Sequence, residues 1–483
     1  MKKYLLIAAL LPLGCQTQFN PANCIVGPTC GAGQLCDPVT ETCQTVTLSL
    51  TNIEPASGAQ RAATLVTITG TGFQAGITVQ VNGVAATQVS VLSSTRLTAL
   101  VPASSAVCGP VKVHLTNPDN TATSRSDLFR YLGGGPSRFA AQTFTGNIPA
   151  PGAADQIVIR DLNGDSYEDL AIKSPSGSSI TLCAGNAAGT PVCNSSIPHT
   201  INGATFMRIH DFKHNGKPDI MIVPRLNATL ATGLLVNNPG SLTATWEQSP
   251  YYLPTNIADL IAVDRPDGEL TDLFVATTQQ LASAPFAPGS SFTATPVASE
   301  AVHGLLAAQL DPATPARELV AVRGVNAGLV VLEQAGAPDA AYVAKWQSAL
   351  QIGMVRIVDV NGDGKSDLLG FSDSATTIYL ALGQGDGTFG PPATMTMSGV
   401  TAPLLEVADL ACDGNQELVV ASGKTVVYVQ LRVDGTVVAP VPIASAGSLV
   451  TGLAVKDLNG DGRPEVVFAT ATTGLTVVTN LSP

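Results

Sequence analysis

Seven stretches of this 483-residue chain share one arrangement: an apolar run, an acidic turn and a second apolar run. The fullest are IVIRDLNGDSYEDLAI from Ile157, VRIVDVNGDGKSDLLGF from Val355 and LAVKDLNGDGRPEVVFA from Leu453. Carboxylates and an Asn at alternate positions of a tight turn offer oxygen donors alone, the chemistry of a hard cation. The competing reading of a single copy is an Asx turn whose side chains bond their own backbone. Other chemistry is poorly provided for: there is no GxSxG elbow and no GxxxxGK loop, and the five histidines (His114, His199, His210, His214, His303) lack HExxH spacing. His210 and His214 instead flank one of the acidic turns.

The first acids of the copies are Asp161, Asp211, Asp264, Asp311, Asp359, Asp409 and Asp457, a period near 48 residues. An apolar strand on each side makes the acidic turn the tip of a β-hairpin. Copy five continues with TIYLALGQGDGTFGPPATMTM, enough for two further strands. Four strands per repeat is a propeller blade, and residues 138–483 hold seven of them. Copy seven ends after three strands, whereas PSRFAAQTFTG from Pro136 resembles the fourth-strand segment GTFGPPATMTMSG, Phe139 matching Phe389. This N-terminal piece is expected to supply the missing outer strand and close the ring.

These loops resemble the FG-GAP or VCBS repeats of integrin-like propellers, in which a D-x-D/N-x-D-x-x-x-D loop holds calcium. Carried over position by position, the resemblance implies side-chain ligands Asp161, Asn163, Asp165 and Asp169 with the Tyr167 carbonyl in copy one. Copy five presents Asp359, Asn361, Asp363 and Asp367 with Lys365; copy seven presents Asp457, Asn459, Asp461 and Glu465 with Arg463. Copy six keeps Asp409, Asp413, Asn415 and Glu417 but has Ala411 at position three, a weaker site. Copy two sets Lys213 among Asp211, Asn215 and Asp219, an ammonium in the metal's place. Copy three (Asp264, Asp267, Glu269, Asp272) and copy four (Asp311, Glu318) do not fit the pattern. Strands flank the loop and position twelve lacks Glu, so this is not an EF-hand.

Residues 46–132 alternate apolar and polar positions between Gly and Pro turns, as in a sandwich with one wet face. IEPASG, ITGTGF, VNGVAAT and LTNPDNTAT in this stretch closely resemble the IPT/TIG immunoglobulin-like domain. Residues 133–137 form a Gly-rich linker. The fold expected is therefore all-β: an immunoglobulin-like sandwich followed by a seven-bladed β-propeller.

Lys2 and Lys3 precede an apolar run that ends at Gly14-Cys15, so residues 1–15 read as a signal peptide. Its end resembles a bacterial lipoprotein signal, which implies lipidation at Cys15 and a destination at the outer membrane or cell surface, with plain secretion as the alternative. In residues 16–45, Cys24, Cys30, Cys36 and Cys43 read as a disulfide-stapled segment rather than a zinc site. Cys183 and Cys193 are placed to bridge one hairpin; Cys108 and Cys412 pair together or stay free. Trp246 and Trp346 each follow their copy's first acid by 35 residues, a repetition that favours an outer-strand structural role over a carbohydrate platform.

Only 12% of residues are charged, yet the formal net charge is -12, and 21 of the 36 acids lie in the seven turns. The charge is concentrated where a cation would bind, and the acidic balance argues against nucleic acid. The function expected is non-enzymatic: a calcium-binding, monomeric surface protein for binding or adhesion, with a protein or glycan ligand and no membrane attachment beyond the lipid. The alternative is a polysaccharide-active enzyme or lectin on the same propeller.

Overall fold

The computed structural model describes residues 34–37, 42–45 and 47–482, apart from 60–62, 105–108, 133–138, 145–155, 174–178, 199–204, 225–230, 238–241, 243, 247–250, 266–269, 288–289, 315–316, 325–327, 335–340, 362, 373–376, 398–403, 432–438 and 472–473. Cys15, Cys24, Cys30, Cys108, Asp267 and Glu269 lie outside the described residues. The chain divides into two compact units, Met1–Leu132 and Gly133–Pro483. All the described regular structure is β-strand, and no helix there is long and apolar enough to cross a membrane.

In the first unit, Ser49–Glu54, Thr64–Thr71, Arg96–Val101 and Thr87–Ser93 form one sheet. Ala122–Arg125, Val113–Thr116, Thr78–Val81 and Val84–Ala85 form another. Alternation sends Val66, Ile68, Leu97 and Ala99 from the first sheet, and Val79, Val81, Val113 and Leu115 from the second, into one core closed by Phe129 and Tyr131. Further upstream, Gln34–Asp37 pairs antiparallel with Thr42–Thr45, and Cys36 and Cys43 are register partners.

The second unit contains, among the described residues, seven antiparallel sheets of at least four strands each, one per acidic turn. In sheet five, for example, Met354–Val358, Asp367–Phe371, Thr377–Ala381 and Ala393–Thr396 follow in simple meander order. Sheet seven is built from Val450–Lys456, Glu465–Thr470 and Gly474–Asn480, and its outer strand is Phe139–Phe144 from the start of the unit. The ends of the ring are thus joined within one sheet, with Phe139 opposite Asn480 and Phe144 opposite Leu475.

The core lies between sheets. Seven apolar clusters each join two successive sheets, including one that joins sheet seven to sheet one through Ile157, Leu170, Leu458 and Val467. This cyclic packing is the arrangement of a β-propeller. It explains why the second strands are continuously apolar. In Glu417–Ser422, Leu418 and Val420 pack toward sheet five, while Val419 and Ala421 pack toward sheet seven.

Side chains also tie the first strand of one sheet to the backbone of the next. Gln156 Oε1 accepts the Met207 N–H (2.6 Å), Arg208 Nε donates to the Leu260 carbonyl (2.6 Å), Asp259 Oδ2 accepts the Leu305 N–H (2.9 Å), and Arg356 Nη2 donates to the Leu405 carbonyl (3.2 Å). The four target residues occupy the same register position in their sheets. These bonds satisfy backbone groups on strand edges that no fifth strand covers.

Candidate metal loops

Each acidic turn joins the first and second strands of its sheet, so the pairing of those strands fixes its positions. Arg160 faces Asp169, Val358 faces Asp367, Ala408 faces Glu417 and Lys456 faces Glu465. The residue after the first strand is position one, and the acid that opens the second strand is position nine. By the same register Ala308 faces Glu318, which puts Gln309, not Asp311, at position one of loop four. The alignment on Asp311 is corrected accordingly: that residue takes position three, and the loop carries one extra residue.

Position two is a buried apolar residue in loops one, four, five, six and seven: Leu162, Leu310, Val360, Leu410 and Leu458. Its backbone N–H donates to the position-nine acid at 2.9, 2.8, 2.9, 2.7 and 2.8 Å respectively. Position nine therefore has a structural task that loop four retains although it lacks the metal pattern. In loops one and five the other carboxylate oxygen is also engaged: Asp169 Oδ1 accepts the Gly185 N–H and Asp367 Oδ1 the Gly383 N–H, both at 2.8 Å. Burial raises the pKa of both carboxyls, partly countered by these amides.

Loops six and seven use Glu at this position. Both glutamates are 0% exposed. Among the described residues Glu417 Oε1 and Glu465 Oε1 have no hydrogen-bond partner within standard geometry, although the Asn480 backbone amide favours the charged form of Glu465. Burial pushes Glu417 up to about 8, and the nearby Asp413 and Asp409 add to the shift. Glu465 is pushed up to about 7 for the same reason, with Asp461 and Asp457 as its neighbours. A buried carboxylate oxygen left unpaired beside two further acids fits a cation, which would satisfy the oxygen and neutralise the cluster.

The odd-numbered positions bond the loop's own backbone, as the Asx-turn reading requires. Asp161 accepts the Gly164 and Ser166 N–H groups (2.6 and 2.9 Å), and Asn163 and Asp165 each accept the N–H two residues on (both 2.8 Å). Loop five repeats this through Asp359, Asn361 and Asp363, and loop seven through Asp457, Asn459 and Asp461. In loop six, Asp409 accepts the Asp413 and Gly414 amides and Asp413 accepts that of Asn415. Among the described residues no three His, Cys, Asp or Glu side chains are grouped so as to hold a metal ion. The Asn side chains and the position-seven carbonyls of Tyr167, Lys365, Asn415 and Arg463 stay ligands that the resemblance alone implies.

The spacing of the acids gave no role to position six. That position has positive φ in five loops: Ser166 (73°), Gly216 (81°), Gly364 (81°), Gly414 (87°) and Gly462 (83°). Of these five, loop one alone places a side chain there. Ser166→Gly is expected to stabilise the protein by about 1 kcal/mol, read as a higher urea midpoint. A lower midpoint would show that the serine contributes more than its backbone costs.

The other loops contain protein cations. Arg265 makes a bidentate pair with Asp272 in loop three, both contacts at 3.0 Å. Asp264 Oδ1 meets His210 Nε2 and accepts the Thr271 hydroxyl, both at 2.7 Å, and Thr271 Oγ1 stands 3.2 Å from His214 Nε2. In loop four Lys345 Nζ donates to Asp311 (3.0 Å) and Glu333 (2.9 Å). In loop two the Lys213 backbone N–H donates to Asp219, while Lys217 Nζ reaches the Asn163 carbonyl of loop one. Sequence spacing did not reveal Lys345 because it lies on the outer strand, 34 residues beyond Asp311.

The secondary candidates resolve structurally. Trp346 donates its indole N–H to the Phe389 carbonyl (3.1 Å) and stacks edge-on against Phe389. Trp246 occupies an outer strand of sheet two. Tyr251 is buried and donates to the Pro285 carbonyl (3.2 Å). Cys183 and Cys193 form a disulfide across one strand pair, and Cys412 is also disulfide-bonded.

Comparison with known proteins agrees with these repeats. Residues 48–131 match the IPT/TIG domain, and residues 359–420 and 409–468 match the FG-GAP-like repeat, the two matches starting at position one of loops five and six. The chain thus carries an IPT/TIG domain and FG-GAP-like repeats. No curated protein matches it. Among solved structures it is similar to an auxiliary nutrient binding protein from Bacteroides ovatus (13% identity, TM-score 0.37, 90% of this chain and 98% of the other covered). It is also similar to a rhamnogalacturonan lyase from Bacillus licheniformis (14%, 0.41, 89% and 88%). A third similar structure is an Agrocybe aegerita lectin recognising non-reducing terminal N-acetylglucosamine (14%, 0.43, 78% and 93%). Likenesses at this level assign neither activity nor ligand.

Proposed function

We propose that this is an exported calcium-binding protein whose seven-bladed propeller presents a surface for a protein or glycan ligand, with Cys15 as a lipid anchor at the cell surface. The observation that carries the calcium reading is the buried oxygen of Glu417, which has no partner among the described residues and stands near Asp409 and Asp413; Glu465 near Asp457 and Asp461 is similar, with the Asn480 backbone amide close to it. Calcium supplies a charge that neutralises these clusters. The chain's own residues provide the oxygens: Asp161, Asn163 and Asp165 in loop one, Asp359, Asn361 and Asp363 in loop five, and the Asp and Glu sets of loops six and seven. The Cys183–Cys193 disulfide supports an oxidising, extracytoplasmic destination.

A binding role is preferred to catalysis because the paired acids serve the loops' own backbone, and because Trp346 and Tyr251 are committed to packing. Excess calcium is expected to raise the melting temperature of the full chain and chelator to lower it; saturation at 100 times Kd corresponds to about 2.7 kcal/mol. Identical melts in calcium and chelator would remove the metal from this reading. A glycan and protein array probed with and without calcium tests the ligand, and turnover of an arrayed polysaccharide would replace binding with catalysis.

A further inference from the structure

We propose that the Asn82-Gly83 hairpin tip of the IPT/TIG domain is a site of spontaneous covalent modification, where the asparagine amide converts to aspartate and isoaspartate, and that the acidic turns of the propeller protect the same dipeptide from the same reaction. The inference concerns the chain's own chemistry and is independent of the calcium reading.

Asn-Gly occurs six times, at Asn82, Asn163, Asn202, Asn215, Asn361 and Asn459. In this dipeptide the glycine backbone nitrogen, with no Cβ beside it to hinder approach, can attack the asparagine Cγ. A bond forms between that nitrogen and Cγ, the Cγ–Nδ2 bond breaks, and the amide nitrogen leaves as ammonia carrying the proton that the backbone gave up. Water then opens the cyclic imide at either carbonyl. Attack at Cγ leaves aspartate; attack at the main-chain carbonyl leaves isoaspartate, with the chain running on through Cγ. The reaction needs a glycine N–H free to lose its proton and a side chain free to turn over it.

The propeller turns deny both conditions. Asp161 accepts the Gly164 N–H (2.6 Å), Asp211 that of Gly216 (2.8 Å) and Asp457 that of Gly460 (2.8 Å). A carboxylate at that distance opposes ionisation of the amide it binds. The asparagine side chains are held as well: Oδ1 of Asn163, Asn215 and Asn459 accepts the N–H two residues on, at 2.8, 3.0 and 2.8 Å. Asn361 does the same at 3.0 Å. Asn202, Gly203 and Gly362 lie outside the described residues.

The hairpin tip has neither restraint. Thr78–Val81 and Val84–Ala85 pair with Val81 opposite Val84, so Asn82 and Gly83 form the whole turn. Both have positive φ (50° and 75°), the primed geometry that selects Asn-Gly in a two-residue hairpin. Both are exposed, and the space beside Gly83 is open. The Asn82 main-chain N–H donates to the Lys112 carbonyl (2.8 Å), but neither the Gly83 N–H nor the Asn82 side chain has a partner among the described residues. Isoaspartate adds a carbon to a turn whose length fixes the register, so it unpairs Val84–Ala85. Those residues are exposed at the sheet edge, which lets the domain stay folded while the edge gains a negative charge.

Peptide mapping by mass spectrometry, on the full chain held in chelator and mildly alkaline buffer, reads the acid form at each site. Asn82 is expected to convert at least about tenfold faster than Asn163, Asn215 and Asn459. Equal rates in the folded chain would overturn the proposal. In concentrated urea the four rates are expected to converge; a persistent lead of Asn82 there would trace it to neighbouring residues and not to the fold, and would overturn the proposal too. Asp161→Ala frees the Gly164 N–H and is expected to speed conversion of Asn163 severalfold. An unchanged rate in that variant would show that the turn's carboxylate is not the protecting group.

Discussion

Deleting Phe139–Phe144 is expected to cost more stability than any single substitution in the propeller unit, and to convert a cooperative transition into a broad one. This strand is the only outer partner of Gly474–Asn480 among the described residues, along a six-residue register. Without it, the last sheet ends on an open edge and the first and last sheets are held by side-chain packing alone. Phe139 adds an aromatic contact, its ring 5.8 Å from that of Tyr428, within the cluster between sheets six and seven. Phe139→Ala alone is expected to cost about 2 kcal/mol, because the ring is only partly buried, and the deletion more. Urea unfolding followed by circular dichroism gives both values. A deletion variant with the wild-type midpoint and slope would mean that the ring does not depend on this strand.

Asp367→Ala carries the second large effect. One carboxylate oxygen accepts the Val360 N–H and the other the Gly383 N–H, inside a wholly buried environment. Alanine removes both acceptors and leaves two buried donors unpaired, a loss of about 3 kcal/mol. Asp363→Ala, which removes an exposed acceptor of the Lys365 N–H, is expected to cost less than about 1 kcal/mol in chelator. The contrast separates the structural acid from the turn acid within one loop. Equal losses for the two variants would refute the distinct role assigned to position nine.

Much of this organisation was legible in the sequence because repetition averages out local ambiguity. A single DLNGD turn is compatible with many loops; three full copies at one period, each between apolar runs, specify a strand–turn–strand unit. The position of the outer strand was legible too, since copy seven ends one strand short and the segment around Phe139 supplies what is missing. Loop four was misaligned for a physical reason. The eye selects Asp311 as the first acid, but register is set by the burial of Leu310 and by the pairing of Ala308 with Glu318. Those are tertiary facts that a list of acids does not contain.

By itself, then, the sequence determined the all-β class, the period of the repeat, the oxygen-only chemistry of its turns and the segment that completes the last sheet. Each follows from local residue order, through alternation, turn chemistry and periodicity. Tertiary structure decided which carboxylates bond backbone amides, which meet the side chains of Arg265, His210 and Lys345, and which, at Glu417 and Glu465, keep an oxygen without a partner among the described residues. Those distinctions depend on groups brought together from different strands and neighbouring sheets. Charge compensation acts over ångströms in space, and loop spacing records only distance along the chain.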